Sequence, residues 1–320
     1  MGLSKSPRQR TLKQRVTVSG IGVHSGKPIR ISICPADPDS GISFLRTTGS
    51  DSPDFEIRAV AASIGATELC TVLGDPRGVC VATVEHLLAA LLGLGVDNAV
   101  IEIDGPEVPV MDGSAEAFAD AIDQAGIVVQ RSAKRFIRIR KPVRVDIGSA
   151  FAEFRPYDGS RFEIAISYDC RVIGEQAIAL DLNPQSFRKD VARARTFGFM
   201  KDVERLWAGG FALDSSLENS VVVGEDEVIN PEGLRYPDEF VRHKLLDAIG
   251  DLALAGAPIQ GLYRSFKGGH RLNALALSTL LAQPDAWTLV SAPAEREPRP
   301  ESRVDLLSGL FAPAFAPEVL

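Results

Sequence analysis

Residues 239–256, with the sequence EFVRHKLLDAIGDLALAG, constrain the fold more than any other part of the chain. Their leucines and isoleucine recur at the spacing of a helix that is buried on most of its circumference. At roughly 100° per residue, His243, Asp247 and Asp251 lie on one stripe of that helix. Carboxylates that enter a core must be hydrogen-bonded, paired with a cation or bound to a metal. The segment therefore predicts a buried helix with polar chemistry on one face.

The composition is that of an ordinary soluble globular protein. The 320 residues are 45% hydrophobic and 24% charged, which is enough for one large domain or two medium ones. A net charge of -7 argues against a general nucleic-acid binder. The cysteines have no CxxC spacing, so we expect reduced thiols and no disulfide framework.

The first residues, MGLSKSPRQRTLKQRV, are basic, but no apolar stretch follows them. We therefore expect no secretory signal. The longest mainly apolar run, residues 87–94, is too short to cross a bilayer. These features predict a cytoplasmic protein without a transmembrane segment.

Apolar periodicity and turn residues predict the secondary structure. We predict helices within residues 82–95, 114–126, 183–196, 237–256 and 271–283. Residues 15–33 are typical of a hairpin, and further strands are predicted within residues 41–47, 98–113, 136–146, 149–157 and 161–169. Residues 98–113 are expected to form strand, turn and strand. Residues 1–10 are interpreted as a flexible basic leader and residues 128–135 as a polar linker.

This order of elements predicts two α+β domains that divide near residue 132. The N-terminal domain is assigned to residues 1–132 and the C-terminal domain to residues 133–285. Residues 286–320 are rich in proline, alanine and glutamate and are interpreted as a peripheral tail.

The histidines are few enough to consider one by one. Glu85 and His86 begin a predicted helix, His243 precedes Asp247 by four residues, and His270 follows two glycines in FKGGHRLN. Together these residues can supply three ligands, a base and an acid, which a catalytic zinc site requires. Spacing alone does not separate such a site from structural histidines and surface ion pairs.

Other chemistries are weakly supported. The chain has no G-x-S-x-G elbow, no H-E-x-x-H motif and no G-x-G-x-x-G after a strand. GIGVHSGK resembles a phosphate-binding loop, but it has one residue too many, and Pro28 follows the lysine where a Ser or Thr should bind magnesium. We interpret this segment as a hairpin turn and His24 as structural.

Four motifs together resemble one family. They are TVEHLLAALLGLGVDNAVIEIDGPEVPVMDGSAEAF, RARTFGF, EFVRHKLLDAIGDLALAG and KGGHRLN. In order and spacing they are similar to the UDP-3-O-acyl-N-acetylglucosamine deacetylases, the zinc amidases of lipid A biosynthesis, from about Gln14 to about Trp287. The resemblance implies two α+β domains, each with helices packed on a small β-sheet, and an active site between them.

The resemblance also implies the biological setting. It indicates a cytoplasmic enzyme of Gram-negative bacteria with Zn²⁺ as cofactor. The substrate would be a small molecule, an acylated UDP-amino sugar, and the enzyme a monomer that binds no nucleic acid.

Carried onto this sequence, the resemblance makes His86, His243 and Asp247 the zinc ligands. These ligands form a set of two nitrogens and one oxygen, which suits zinc and also iron(II). Glu85 would take a proton from the zinc-bound water that attacks the acetamide. The resemblance leaves open whether Glu85 alone or Glu85 together with His270 transfers the protons.

The same resemblance assigns roles around the ligands. His270, as imidazolium, would stabilise the oxyanion and protonate the leaving amine. The Thr196 hydroxyl would donate a second hydrogen bond to the oxyanion. Asp251 would orient His270 and favour its charged form. Lys244 and Lys267 would face the anionic substrate.

A long acyl chain requires an apolar passage. Residues 199–223 correspond to the family's insert in the second domain, which can fold as strand, helix and strand. We expect Phe197 to pack on the sugar. The candidates for the wall of the passage are Val203, Leu206, Leu217 and Val222 from the insert, and Val23 and Leu69 from the first domain.

Two alternatives remain open from the sequence. A metal-bearing binding protein without turnover would need the ligands but not Glu85, Thr196 and His270 together. A zinc hydrolase that acts on a different acylated amino sugar would need the same residues, and only a panel of substrates separates it from the deacetylase.

Overall fold

The structure is a computed structural model that describes residues 7–47, 54–202 and 208–292. In these ranges the chain has the predicted α+β fold, with five α-helices and several small β-sheets. None of the described helices combines the length and the apolar character that crossing a membrane requires.

The first half of the chain contains a five-stranded sheet in the order β2-β3-β9-β4-β5. Its strands are β2 (Val16–Ile21), β3 (Pro28–Pro35), β4 (Ile42–Arg46), β5 (Phe55–Arg58) and β9 (Ala99–Ile103). The predicted hairpin is confirmed, because β2 and β3 pair antiparallel. A three-stranded sheet consists of β6 (Ile64–Ala66), β7 (Val72–Gly74) and β8 (Cys80–Val81).

Two helices accompany these sheets, α1 (Glu85–Leu94) and α2 (Glu116–Ala125). All of α1 except Leu92 is buried, as expected for a helix that is apolar on all sides. Gly95 ends α1 in the left-handed conformation, with a φ of 77°, which glycine adopts without steric cost. The predicted glycine stop of this helix is therefore confirmed.

The second half contains a seven-stranded sheet around β18 (Ile259–Phe266), which pairs with β11, β13 and β14. The other strands are β11 (Arg135–Ile139), β12 (Val143–Ile147), β13 (Ala150–Arg155), β14 (Ser160–Ser167), β15 (Glu175–Asp181) and β19 (Trp287–Ser291). Alternate residues of β14 and β18 are buried, so one face of the sheet packs on the core.

The remaining helices are α3 (Pro184–Asp190), α4 (Glu239–Ala253) and α5 (His270–Leu281), and two 3-10 turns lie at Ala61–Ser63 and Met200–Asp202. Asn183 caps α3 with a reciprocal capping box, but the helix ends before the predicted residue 196. The insert ends with a strand as predicted, β17 (Val221–Val223), which pairs parallel with β16 (Phe197–Phe199), but β16 ends at the first residue of the insert.

Long-range strand pairing corrects four expectations. Residues 128–135 are not a linker, because β10 (Ile127–Ala133) pairs with β1 (Arg8–Leu12). The same pairing places residues 8–10 of the expected leader in a strand. The predicted second strand within residues 98–113 is only an isolated bridge at Glu107. The tail expected from residue 286 begins with β19, which pairs with β11.

Helices α1 and α4 pack directly against each other, and each belongs to a different half of the chain. All of α4 is buried except Arg242, Lys244 and Ala253. A Cβ atom on Gly250 would lie 2.0 Å from the carbonyl oxygen of Glu85, so the crossing is closer than any side chain allows. This contact brings the start of α1 against the polar stripe of α4.

We therefore expect Gly250→Ala to destabilise the protein. Alanine favours a helix by about 1 kcal/mol over glycine. Overpacking against a backbone that cannot move aside costs about 1–3 kcal/mol, so the steric effect should prevail. Denaturant unfolding should show a lower free energy of unfolding for this variant. Gly198→Ala is the control, since its Cβ meets nothing within 4 Å. Equal stability of the two variants would contradict the close crossing.

Candidate metal centre

Three side chains from the two packed helices converge at one point. His86 lies in the first turn of α1, and His243 and Asp247 lie one turn apart on α4. Their ligand atoms are all within 4.8 Å of one another. Asp247 Oδ1 is 3.3 Å from His243 Nε2 and 3.6 Å from His86 Nε2. All three residues are buried, so the sequence-predicted ligands form a compact set.

The hydrogen bonds around this set leave the ligand atoms available. His243 Nδ1 lies 3.0 Å from the carbonyl oxygen of Ala194, and donation there directs the Nε2 lone pair toward the cluster. Asp247 Oδ2 accepts a hydrogen bond from Lys244 Nζ at 3.0 Å. Asp247 Oδ1 is buried and has no hydrogen-bond partner within the described part of the chain. A buried carboxylate oxygen without a donor is costly unless a cation contacts it.

The protonation states also suit a divalent metal ion. Burial lowers the pKa of His243 to about 3, so its imidazole is neutral. Burial opposes ionisation of Asp247, but the neighbouring histidines and Lys244 hold the pKa of that carboxyl well below its usual range. Histidine nitrogens and a carboxylate oxygen are ligands of the kind that zinc sites use. The residues present therefore fit the metal that the sequence predicted.

Glu85 and His270 face each other beside the triad. Glu85 Oε1 is 3.6 Å from His270 Nε2, and His270 Nδ1 is 2.9 Å from Asp251 Oδ2. Burial raises the pKa of Glu85, and the charge of His270 opposes that rise. Burial by itself lowers the pKa of His270, but the charges of Asp251 and Glu85 raise it to about 10. The two groups therefore stabilise the charged forms of each other.

Two buried residues in this network were not assigned from the sequence. Thr71 donates its backbone N–H to Glu85 Oε2 at 3.1 Å and its hydroxyl to Asp251 Oδ1 at 2.6 Å. Asn273 donates to Asp251 Oδ2 at 2.8 Å. Asn273 lies inside the motif KGGHRLN and Thr71 inside none of the four motifs, and neither residue type signals a role without its spatial neighbours.

A cleft of about 560 Å³ opens onto the triad and the Glu85–His270 pair. The other sequence-predicted residues that line it are Val23, Leu69, Thr196, Phe197, Lys244 and Lys267. Leu217 and Val222 are not among the described lining residues, and Val203 and Leu206 lie outside the described ranges.

Lys244 and Phe197 lie together in the cleft wall. Lys244 Nζ is 5.5 Å from the centre of the Phe197 ring and also binds Asp247. Burial opposes the charge on Lys244, but Asp247 raises the pKa of the ammonium above its usual range. The Lys244 ammonium therefore binds Asp247 and also lies at the surface of the cleft.

Cys70 and His24 also line the cleft. Burial raises the pKa of the Cys70 thiol to about 12, so the thiol is protonated at neutral pH and is a poor metal ligand. Burial lowers the pKa of His24, whose Nδ1 lies 3.3 Å from the backbone nitrogen of Ala212. His24 thus makes a structural contact, as interpreted from the sequence.

Comparisons with known proteins show the family of the chain. A family model described as UDP-3-O-acyl N-acetylglycosamine deacetylase matches residues 9–282. Proteins named UDP-3-O-acyl-N-acetylglucosamine deacetylase from Brucella ovis, Brucella canis and Brucella melitensis biotype 2 are each 52% identical to the chain. Each of these matches spans 285 residues, 89% of this chain and 99% of the relative.

Proposed function

Because the chain belongs to the UDP-3-O-acyl-N-acetylglucosamine deacetylase family, it is a deacetylase, a hydrolase that cleaves an amide, and we propose its substrate and its mechanism. The proposed reaction removes acetate from UDP-3-O-(3-hydroxyacyl)-N-acetylglucosamine, the committed step of lipid A biosynthesis. The observation that carries the metal-dependent mechanism is Oδ1 of Asp247, which lies between two imidazoles and has no hydrogen-bond partner among the described residues.

His86, His243 and Asp247 would hold the metal, which we propose to be Zn²⁺. A zinc ion bound there would lower the pKa of a coordinated water to near neutrality and polarise the acetamide carbonyl. His243 contributes a neutral ring that is oriented by the Ala194 carbonyl. Lys244 orients the Asp247 carboxylate through Oδ2, which is not the oxygen that lies beside His86 and His243.

Glu85 acts as the general base in this proposal. Its carboxylate accepts a proton from the attacking water, and the N–H of Thr71 fixes its orientation. Because burial raises the pKa of Glu85, the carboxylate is a stronger base than an exposed glutamate. The raised pKa improves proton transfer at neutral pH.

His270 acts as the general acid. Asp251 holds the ring by its Nδ1 and leaves Nε2 directed toward Glu85 and the cleft. The imidazolium stabilises the developing oxyanion and gives its proton to the leaving amine. The Thr196 hydroxyl donates a second hydrogen bond to the oxyanion. One water and the amide thus become acetate and a free amine.

The remaining cleft residues position the substrate. We propose that Lys244 and Lys267 bind its anionic and hydroxyl groups and that Phe197 packs on the sugar. Val23 and Leu69 provide an apolar wall, and the insert provides the opposite side of the acyl passage. Charged and apolar residues line one continuous cleft, which supports separate binding of the polar and the acyl parts of the substrate.

The test combines metal analysis with acetate release. We expect the purified protein to hold about one divalent ion per chain and to release acetate from the UDP-sugar. A chelator should abolish the activity, and titration with Zn²⁺ or Fe²⁺ should identify the ion that restores it. A protein that deacetylates another acylated amino sugar but not this UDP-sugar would overturn the proposed substrate.

Asp251→Asn tests how His270 is held. His270 must be protonated to act as an acid, so activity falls as pH rises through its pKa. The charge of Asp251 raises that pKa, and its removal should shift the basic limb of kcat/KM to lower pH and reduce kcat by roughly 10-fold. Metal content should not change, because Asp251 is not one of the ligands.

The control for this variant is Asp285→Asn, which removes a carboxylate that pairs with Lys141 in an exposed salt bridge. Its pH profile should match that of the parent. An unmoved basic limb with normal turnover in Asp251→Asn would make Asp251 structural. Loss of the metal from that variant would place Asp251 in the metal shell instead.

A further inference from the structure

Glu107 is a buried carboxylate that the proposed mechanism does not use. It is 2% exposed, and no lysine or arginine in the described part of the chain forms an ion pair with it. A buried carboxylate without a cation is unfavourable unless several hydrogen bonds stabilise it. The donors that Glu107 binds should therefore indicate what it holds in place.

Most of these donors belong to one turn. Residues 22–26, between β2 and β3, form a loop that we call the hairpin turn. The backbone N–H and the hydroxyl of Ser25 donate to Glu107 Oε1 at 2.8 and 2.6 Å, and the N–H of His24 donates to Oε2 at 3.3 Å. A Cβ on Gly22 would lie 1.8 Å from Oε1, so only glycine permits this approach.

The hairpin turn also contacts residues 211–214 of the insert in the second half of the chain. The backbone N–H of Ala212 donates to His24 Nδ1 at 3.3 Å, and the N–H of Asp214 donates to the carbonyl oxygen of Val23 at 3.1 Å. The Phe211 ring lies edge-on to the His24 ring at 5.7 Å. Burial keeps the His24 ring neutral, which leaves Nδ1 able to accept. Glu107 thus acts on the insert through the hairpin turn.

Both sides of this contact line the cleft. Val23 and His24 contribute from the hairpin turn, and Ala212 contributes from the insert. The distance between the hairpin turn and the insert determines how much apolar surface is available to an acyl chain at this end of the cleft. The catalytic pair lies on α1 and α5. Glu107 also approaches the start of α1, because the Thr83 hydroxyl lies 3.5 Å from its Oε2. A comparison of two substrates therefore has to separate an effect on the wall from an effect on the reacting groups.

We propose that Glu107 is a positioning residue that determines acyl-chain selectivity, because it holds the hairpin turn against the insert at the acyl end of the cleft. This inference rests on the proposed function. It adds a specificity determinant that never touches the substrate.

The experiment compares two substrates on the full-length metal-loaded enzyme. One is UDP-N-acetylglucosamine with a long 3-O-hydroxyacyl chain, and the other carries a 3-O-butyryl group. In Glu107→Gln, an NH₂ group replaces one of the two oxygens that accept hydrogen bonds from the hairpin turn. Two donors then face each other, so the hairpin turn should move away from Glu107 and from the insert. The ratio of kcat/KM for the long-chain over the short-chain substrate should fall by roughly 10-fold. Glu102→Gln is the matched control, a partly exposed carboxylate on β9 that pairs with Arg15.

Ser25→Ala provides a milder second variant, because it removes only the 2.6 Å hydroxyl donor. It should shift the ratio in the same direction by a smaller factor, and it decides the matter if Glu107→Gln does not fold. An unchanged ratio in the folded variants would overturn the proposal, and so would an equal loss of activity on both substrates. Failure of the proposed function is distinguishable, since the parent enzyme would then release no acetate from either substrate.

Discussion

The His86→Ala protein should bind less than about one-tenth of a divalent ion per chain and should release no measurable acetate. Of the three proposed ligands, α1 contributes only His86, and the other two lie one turn apart on α4. Two ligands from one helix leave a metal open on the side that faces α1. The Glu85–His270 pair would then have no activated water to act on.

Metal stoichiometry by elemental analysis and acetate release from the UDP-sugar are the two measurements. His24→Ala is the matched control for metal content, because His24 lines the same cleft but lies outside the triad. It should retain its ion. Full metal content and full turnover in His86→Ala would show that the site is misassigned.

Glu85→Gln should lower kcat by roughly 10²-fold or more, because an amide cannot accept the proton from water. The metal content should remain that of the parent, since Glu85 is not a ligand and Gln can still accept the hydrogen bond from Thr71. Glu102→Gln serves as the control for the same change of charge, because Glu102 is partly exposed, pairs with Arg15 and does not line the cleft.

The pH profile of this variant carries further information. Glu85 is active when ionised, so activity rises as pH increases through its pKa, and burial places this acidic limb above the usual range for glutamate. The parent should show a bell-shaped profile with His270 on the basic side. Glu85→Gln should lose the acidic limb and keep the basic one. Loss of both limbs would indicate that Glu85 alone carries the protons, and an unimpaired Glu85→Gln would reject its role.

The sequence by itself predicted the features that depend on local chemistry. The period of the apolar residues predicted α1 and α4, and the glycine at position 95 predicted the end of α1. The rarity of histidine and its spacing from Asp247 indicated a metal site. The motif order indicated the family, which the comparisons confirm. The helices and the end of α1 were predicted correctly because each depends on residues that are close together in the chain, and the metal site stays a prediction.

The sequence misjudged segments whose conformation depends on distant partners. Residues 128–135 are polar enough to resemble a linker, but β1 supplies the hydrogen bonds that make them a strand. The start of the tail becomes β19 only because β11 has a free edge beside it. Strand pairing is a long-range interaction, so neither edge is visible in the local pattern. The division into two domains stays a prediction.

Only the tertiary structure decided how the site is held together. The resemblance in the sequence suggested the ligands, but the close approach of Gly250 to Glu85 is what places His86 against α4. Thr71 and Glu107 acquire their roles solely from their neighbours, because a threonine hydroxyl or a lone carboxylate has no signature of its own in a sequence. Local sequence determines which helices form and which side chains can bind a metal. The packing of α1 on α4 determines the short distances between those side chains.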